Sequence, residues 1–529
     1  MGADSMRVTL EPESVETTRP VRAAISGSLT RRAVLTAIAS LLDYAAQTAT
    51  TLVVTPIVVG GLGASLYGIW EMLRQAVGYM SAADGRPMDA LRLVVASEQA
   101  TADAPRLRRH VGAAFAVWLV FLPLVAIAGT VLVWLAPRIT GVGPELQGAV
   151  RLACGLLVLS FVAGALAAIP EAVLRGMNLG YKRMGWQAGL SITSGLLAAG
   201  AVYAGLGIWG LGGAQLALAA ITGLCFVLLV KRYVPAFAIA RPSKSEVSSL
   251  LRMSAWLTGG LVLTNLLLAS DVLILGMVVS PAVVATYVLT GASARMSVTL
   301  FNFTVGATTA GLGGLLGQQQ YDRAAHIRRD LVALTWLFVT VSGATILMAN
   351  RSFVSLWVGE DHYAGLWANV LIVCVMTQTA FIRGDAFIID AALRPRPRVI
   401  VTGIAAALTI AATLALTPTL GIVGLCLGII VGRVPQSFMY PRLVASCLRR
   451  QRTFGLGLGL QQLIVSVGLF AAAAWLGSHV VLGSWLAWIS ATAPTVMVAF
   501  GIALFAGLPR SVRRSVLKRS FAMGRAFRG

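Results

Sequence analysis

A chain of 529 residues that is 57% hydrophobic and only 12% charged, with a mean hydropathy of +0.82, is too apolar for a water-soluble globular protein. Its net charge of +22 would point to nucleic acid in a soluble protein, but here the basic residues stand between apolar runs, where they set topology and meet anionic headgroups. The five cysteines are far apart without a CxxC spacing and the four histidines are scattered, so no metal, redox centre or cofactor is expected.

Residues 1–33 are polar, hold five arginines with Glu11, Glu13 and Glu16, and lack the apolar core of a secretory signal; they are expected to form a disordered cytoplasmic tail. Apolar runs then fall at about 34–60, 66–84, 110–136, 148–172, 184–204, 208–230 and 253–279, and continue at 283–310, 331–349, 364–392, 399–417, 420–441, 455–476 and 480–508. The expected fold is an all-α polytopic membrane protein of fourteen transmembrane helices, with a six-helix bundle over 34–230 and a second over 253–441. Two helices over 455–508 are appended, and a basic cytoplasmic tail covers 509–529. Alternate connections hold 35 of the 42 Lys and Arg, whereas the opposite side holds only Arg138 and Arg351, which places both termini in the cytoplasm. In the last tail Val512, Leu517, Phe521 and Phe527 stand among seven cations, an arrangement suited either to the anionic inner leaflet or to a solvated retention charge.

The chain also matches itself. "VVGGLGASLY" (58–67) pairs with "VVSPAVVATY" (278–287), "LRRHV" (107–111) with "IRRDL" (327–331) and "EAVLR" (171–175) with "DAALR" (390–394), at offsets of 220, 220 and 219. Six spans separate the copies, and an even number preserves orientation. Two parallel repeats around a central cavity are therefore expected.

Five arginines fall inside the predicted spans: Arg74, Arg151, Arg295, Arg383 and Arg433. An arginine facing lipid at mid-depth costs roughly 2.5–3.5 kcal/mol even on the lenient scale, so Arg74, Arg295 and Arg433 should face water, protein or a ligand. One possibility is that Glu71 and Arg74, three residues apart, pair with each other and hold the bundle together. The other is that Arg74, Arg295 and Arg433, with Arg383, make the cavity cationic and bind an anion, for which the guanidinium fork suits phosphate. In "FIRGDAFIIDAALR" an interfacial ion pair of Arg383 with Asp385 and Asp390 is expected near the cytoplasmic end of span 10. Asp43 is a lone acid in span 1, serving either as a bond to a neighbouring helix or as a cation-coupling site.

"TPIVVGGLGASLYGIW" (55–70) resembles the opening signature of the polysaccharide-export flippases of the multidrug/oligosaccharidyl-lipid/polysaccharide exporter (MOP) superfamily, with a Pro late in span 1, a Leu-Gly step and Tyr-Gly-Ile-Trp entering span 2. "SDVLILGMVVSPAVVATY" (270–287), where Asp271 precedes an aliphatic run and Gly276, is similar to that family's seventh span. The connection after span 2 departs from the family's Asp-Leu-Gly-Leu-Gly pattern, reading "AADGRPMDALRL" instead. The resemblance implies a MATE-like fold in the bacterial cytoplasmic (inner) membrane. It implies a non-enzymatic transporter that flips an undecaprenyl-diphosphate-linked oligosaccharide to the outer leaflet for cell-surface polysaccharide, exopolysaccharide or lipopolysaccharide, beside polymerase and export machinery. A drug/cation antiporter of the same superfamily would want acids in the cavity. A membrane glycosyltransferase or polymerase would want a sizeable external loop, yet the longest, about 350–363, offers only Glu360, Asp361 and His362.

Overall fold

The computed structural model describes residues 19–97, 104–177, 179–306, 309–392, 395–448, 459–508 and 513, and among them the chain is helical without strands. The first half comprises α1 (Arg19–Gly78), α2 (Pro87–Ser97), α3 (Ala104–Thr140), α4 (Pro144–Gly176), α5 (Gly180–Tyr203) and α6 (Gly207–Tyr233). The second comprises α7 (Lys244–Val278), α8 (Pro281–Thr290), α9 (Ala292–Gly306), α10 (Thr309–Gly317), α11 (Tyr321–Val358), α12 (Leu366–Ala391), α13 (Pro395–Gly432) and α14 (Val434–Cys447). Two further helices follow, α15 (Leu460–His479) and α16 (Trp485–Ile502).

Helix α1 opens at Arg19, earlier than the tail expected over 1–33 allows, because Pro20 suits a first turn and the Ala- and Leu-containing stretch after it favours helix. The rest of that tail, and residues 509–529 apart from Arg513, lie outside the described residues.

Among the described residues nine helices are long and apolar enough to cross a membrane, or ten if α8 and α9 form one bent span; fourteen separate spans are not seen. One reason is that two of the nine are hairpins. A bilayer needs about 20 residues, whereas Leu42–Ser81 runs 40 and Arg396–Cys447 runs 52. In one continuous helix Tyr44 and Arg74 would stand about 45 Å apart, yet both wall the same cavity, so the chain turns back at Gly63 (φ 77°, ψ 164°). In α13 a Cβ built on Gly432 would lie 2.3 Å from the Cα of Thr409, one on Gly428 2.7 Å from that of Thr413, and one on Gly424 2.1 Å from the Leu416 carbonyl oxygen. These pairs close symmetrically on Gly421 (φ 57°, ψ −130°), so two antiparallel limbs touch backbone to backbone, and only glycine permits that approach. The remaining shortfall includes α5, whose Gln187, Ser191, Thr193 and Ser194 dilute its apolarity, and α7, where the side chains of 259–269 lie outside the description.

The halves pack alike: α1 lies on α5 and α4 on α6 in the first, α7 on α13 and α12 on α13 and α14 in the second, while α15 and α16 lean on α11. The matched segments 58–67 and 278–287 each carry a break, at Gly63 and between α7 and α8. The halves meet where α1 crosses α8, so closely that a Cβ on Gly68 would lie 1.7 Å from the Pro281 carbonyl oxygen. On the outside, α3 exposes Leu119, Val120, Leu124, Ile127, Val131 and Trp134, and α16 exposes Leu486, Ile489 and Met497. Water would not tolerate such continuous apolar faces, and the chain is an integral membrane protein.

Candidate functional site: a cationic cavity between the halves

The first limb of α1 carries Tyr44, Gln47, Thr48, Thr51 and Thr55 at steps of three and four, which puts them on one helical face. That polar stripe faces a cavity of about 420 Å³. The returning limb contributes Tyr67, Trp70, Glu71 and Arg74, α5 contributes Ser194, α6 Gln215, and the second half contributes Leu289, Arg295, Met296, Thr299 and Trp357. Both halves thus wall one space, and each supplies an arginine.

Glu71 and Arg74 pair with each other and both line the cavity. The Arg74 Nη2 and Nε donate to Glu71 Oε2 at 2.8 and 3.3 Å. The Arg74 side chain is nevertheless 59% exposed and Glu71 only 12%, so the carboxylate anchors the pair from the wall while the guanidinium stands in the opening.

Arg295 is placed by a break in the chain. Helices α8 and α9 meet at Gly291 with a 52° bend, which frees the last carbonyls of α8. Arg295 Nη2 donates to the Val288 carbonyl, and Asn350 Nδ2 donates to that of Thr290 at 2.9 Å. Asn350 is itself held by the Ser293 hydroxyl at 2.8 Å and by Asn369 Oδ1 at 2.9 Å. This buried network fixes the bend, and a cation at a helix C-terminus is favourably placed.

Of the four arginines expected to make the cavity cationic, Arg433 and Arg383 are not in its described wall. Arg433 is 6% exposed and packed inside the second half, where Nη1 donates to Thr379 Oγ1 at 2.8 Å; among the described residues it does not line the cavity. The expectation that it would do so fails because burial against polar partners removes an arginine from lipid as well as a cavity does. Arg383 does not take both neighbouring acids either. Asp385 pairs with Arg328 at 3.3 Å and Asp390 with Arg398, partners drawn from α11 and α13 that sequence neighbourhood does not reveal. Asp271 accepts from the Tyr287 hydroxyl at 2.8 Å and its own Oδ1 from the Val272 N–H at 2.9 Å. Asp43 has a buried Oδ1 without a hydrogen-bond partner among the described residues and is not in the cavity wall.

The threonine and glutamine stripe of α1 is a polar cavity wall that attention to charge alone misses, although its spacing is legible in the sequence. The stripe leads into a second cavity of about 380 Å³ that shares Gln47, Thr50, Thr51 and Ser194 and adds Glu171, Gln187, Ser191 and Thr222. Glu171 pairs with Arg175 at 3.0 Å, and Gln187 Oε1 is buried with no hydrogen-bond partner among the described residues. Hydroxyl and amide groups dominate there.

Neither a protein-family model nor a curated protein matches the sequence. Solved structures do match in fold. The lipid II flippase MurJ in an inward closed conformation superposes with a TM-score of 0.68 at 11% identity, over 92% of this chain and 100% of that one. A MATE transporter in complex with MaD3S gives 0.58 at 17% identity, over 79% and 96%. A MOP-superfamily transporter from Pyrococcus furiosus, described by the reverse polarity of its binding pocket, gives 0.54 at 14% identity, over 79% and 96%. The fold is that of the MOP-superfamily transporters. Of these three, the flippase shares it over the largest part of the chain.

Proposed function

We propose that the chain is a membrane transporter that flips a lipid-diphosphate-linked oligosaccharide from the cytoplasmic to the outer leaflet of the bacterial inner membrane by alternating access, serving cell-surface polysaccharide synthesis. The observation that carries the reading is that Arg74 from one half and Arg295 from the other wall the same cavity. Guanidinium forks suit a phosphate, and a diphosphate offers two. The adjoining hydroxyl- and amide-lined space suits an uncharged sugar head, and its unsatisfied Gln187 oxygen has an acceptor to offer. An inside-negative potential favours outward movement of the anion by about 2.3 kcal/mol per charge per 100 mV. A polymerase or export apparatus would take the product on the far side. A drug/cation exchanger is disfavoured, because Glu71, the acid in the described wall, is already neutralised by Arg74.

Replacing Arg74 or Arg295 by Ala, at unchanged protein level, is expected to abolish export of the producing cell's surface glycan. Undiminished export by both variants would refute the reading.

A further inference from the structure

We infer that Glu71 is a resident competitor for the substrate's phosphate: it occupies Arg74 while the cavity is empty and must be displaced for the lipid diphosphate to bind. This inference rests on the proposed diphosphate substrate and deepens it by naming a residue that sets affinity and release.

Three observations carry it. The Glu71 carboxylate takes two donors of Arg74, Nη2 at 2.8 Å and Nε at 3.3 Å, the same fork a phosphate would use. Arg295, in contrast, donates to a neutral backbone carbonyl, so its charge is not cancelled by a carboxylate there. The described ionisable groups of the wall, tyrosines apart, are Arg74, Arg295 and Glu71, two positive and one negative, so the protein gives this wall a net +1.

The exchange follows from these positions. A phosphate first meets Arg295, where it displaces only a carbonyl. The second phosphate is then tethered beside Arg74 at high effective concentration and competes with Glu71 for the fork. The displaced carboxylate still has a donor at hand, because the Tyr67 phenol shares its stretch of wall and lies within interaction reach. On the far side of the cycle Glu71 reclaims Arg74, and the substrate is released without leaving an unpaired guanidinium at mid-membrane. A cavity without this acid would hold its anion too tightly to turn over.

The test uses the full-length protein in lipid nanodiscs with farnesyl diphosphate as probe, and the producing cell for export. Glu71→Gln, which keeps shape and hydrogen bonding but not charge, should bind the probe at least about tenfold more tightly. The same variant should export glycan more slowly at saturating supply of the lipid-linked precursor. Tighter binding with slower turnover separates a competitor from a merely structural residue, whose loss weakens both. Tyr67→Phe, removing a donor from the displaced carboxylate, should weaken binding about threefold. Equal or weaker binding by Glu71→Gln, while Arg74→Ala destroys binding, overturns this inference and leaves the diphosphate reading standing. Binding that neither Arg74→Ala nor Arg295→Ala reduces overturns both.

Discussion

Arg74 and Arg433 both lie within predicted spans, yet they end in opposite surroundings. The side chain of Arg74 is 59% exposed and stands in a cavity shared by the halves. Arg433 is 6% exposed, closing the joint between α13 and α14, with Thr379 as acceptor and Asp271 within electrostatic reach. The membrane demands only that a guanidinium avoid lipid; it is satisfied by water or by a polar interior. Depth in the sequence therefore identifies an arginine that must be sheltered, and packing decides whether it is available to a ligand.

That difference is sharpened by removing each group in turn. Arg433→Ala leaves a void and deprives Thr379 of its donor, and is expected to cost about 3 kcal/mol, read as a melting-temperature drop of several degrees in detergent. Arg74→Ala removes a guanidinium that is 59% exposed and leaves no such void, so its melting point should fall less than that of Arg433→Ala. Equal losses from the two variants would break the comparison.

A smaller effect comes from a buried acid outside the spans. Asp84, in the turn before α2, has an oxygen with no hydrogen-bond partner among the described residues. Burial pushes its carboxyl from the ordinary 3.8 up to about 6, opposed by Arg86 and helped by Asp89. The folded state thus favours the neutral form. Its relative stability is greatest below pH 4 and falls as pH rises through about 6. Asp84→Asn cannot ionise, so it should melt above the parent at pH 7.5, by a margin that shrinks at pH 5 and disappears near pH 4. A margin independent of pH would assign the effect to something other than this carboxyl.

Much of the architecture is legible in the chain. The offset of 220 places Tyr67 on Tyr287, and both phenols meet acids, Glu71 and Asp271. The same offset carries Arg74 to Ala294, one residue and about 100° of helix rotation from Arg295, so the repeat alone does not encode their meeting at one wall. The hairpin turns were legible too, since Gly63 and Gly421 lie at or beside the divisions between the runs 34–60 and 66–84 and between 399–417 and 420–441. Charge partners were hardest. Asp385 and Asp390 have Arg383 near them in sequence but pair with Arg328 and Arg398. Helix packing brings those residues together across 57 and 8 positions, and no local spacing encodes the first.

The central claim is that positions 74 and 295 share one hydrated space across the halves. It is tested most directly by placing cysteine at both and treating membranes with a charged thiol reagent and with a short bis-thiol cross-linker, against the parent chain as background. The account predicts labelling at each position and an intramolecular cross-link between them. Failure of both to label, or labelling without any cross-link, would contradict it.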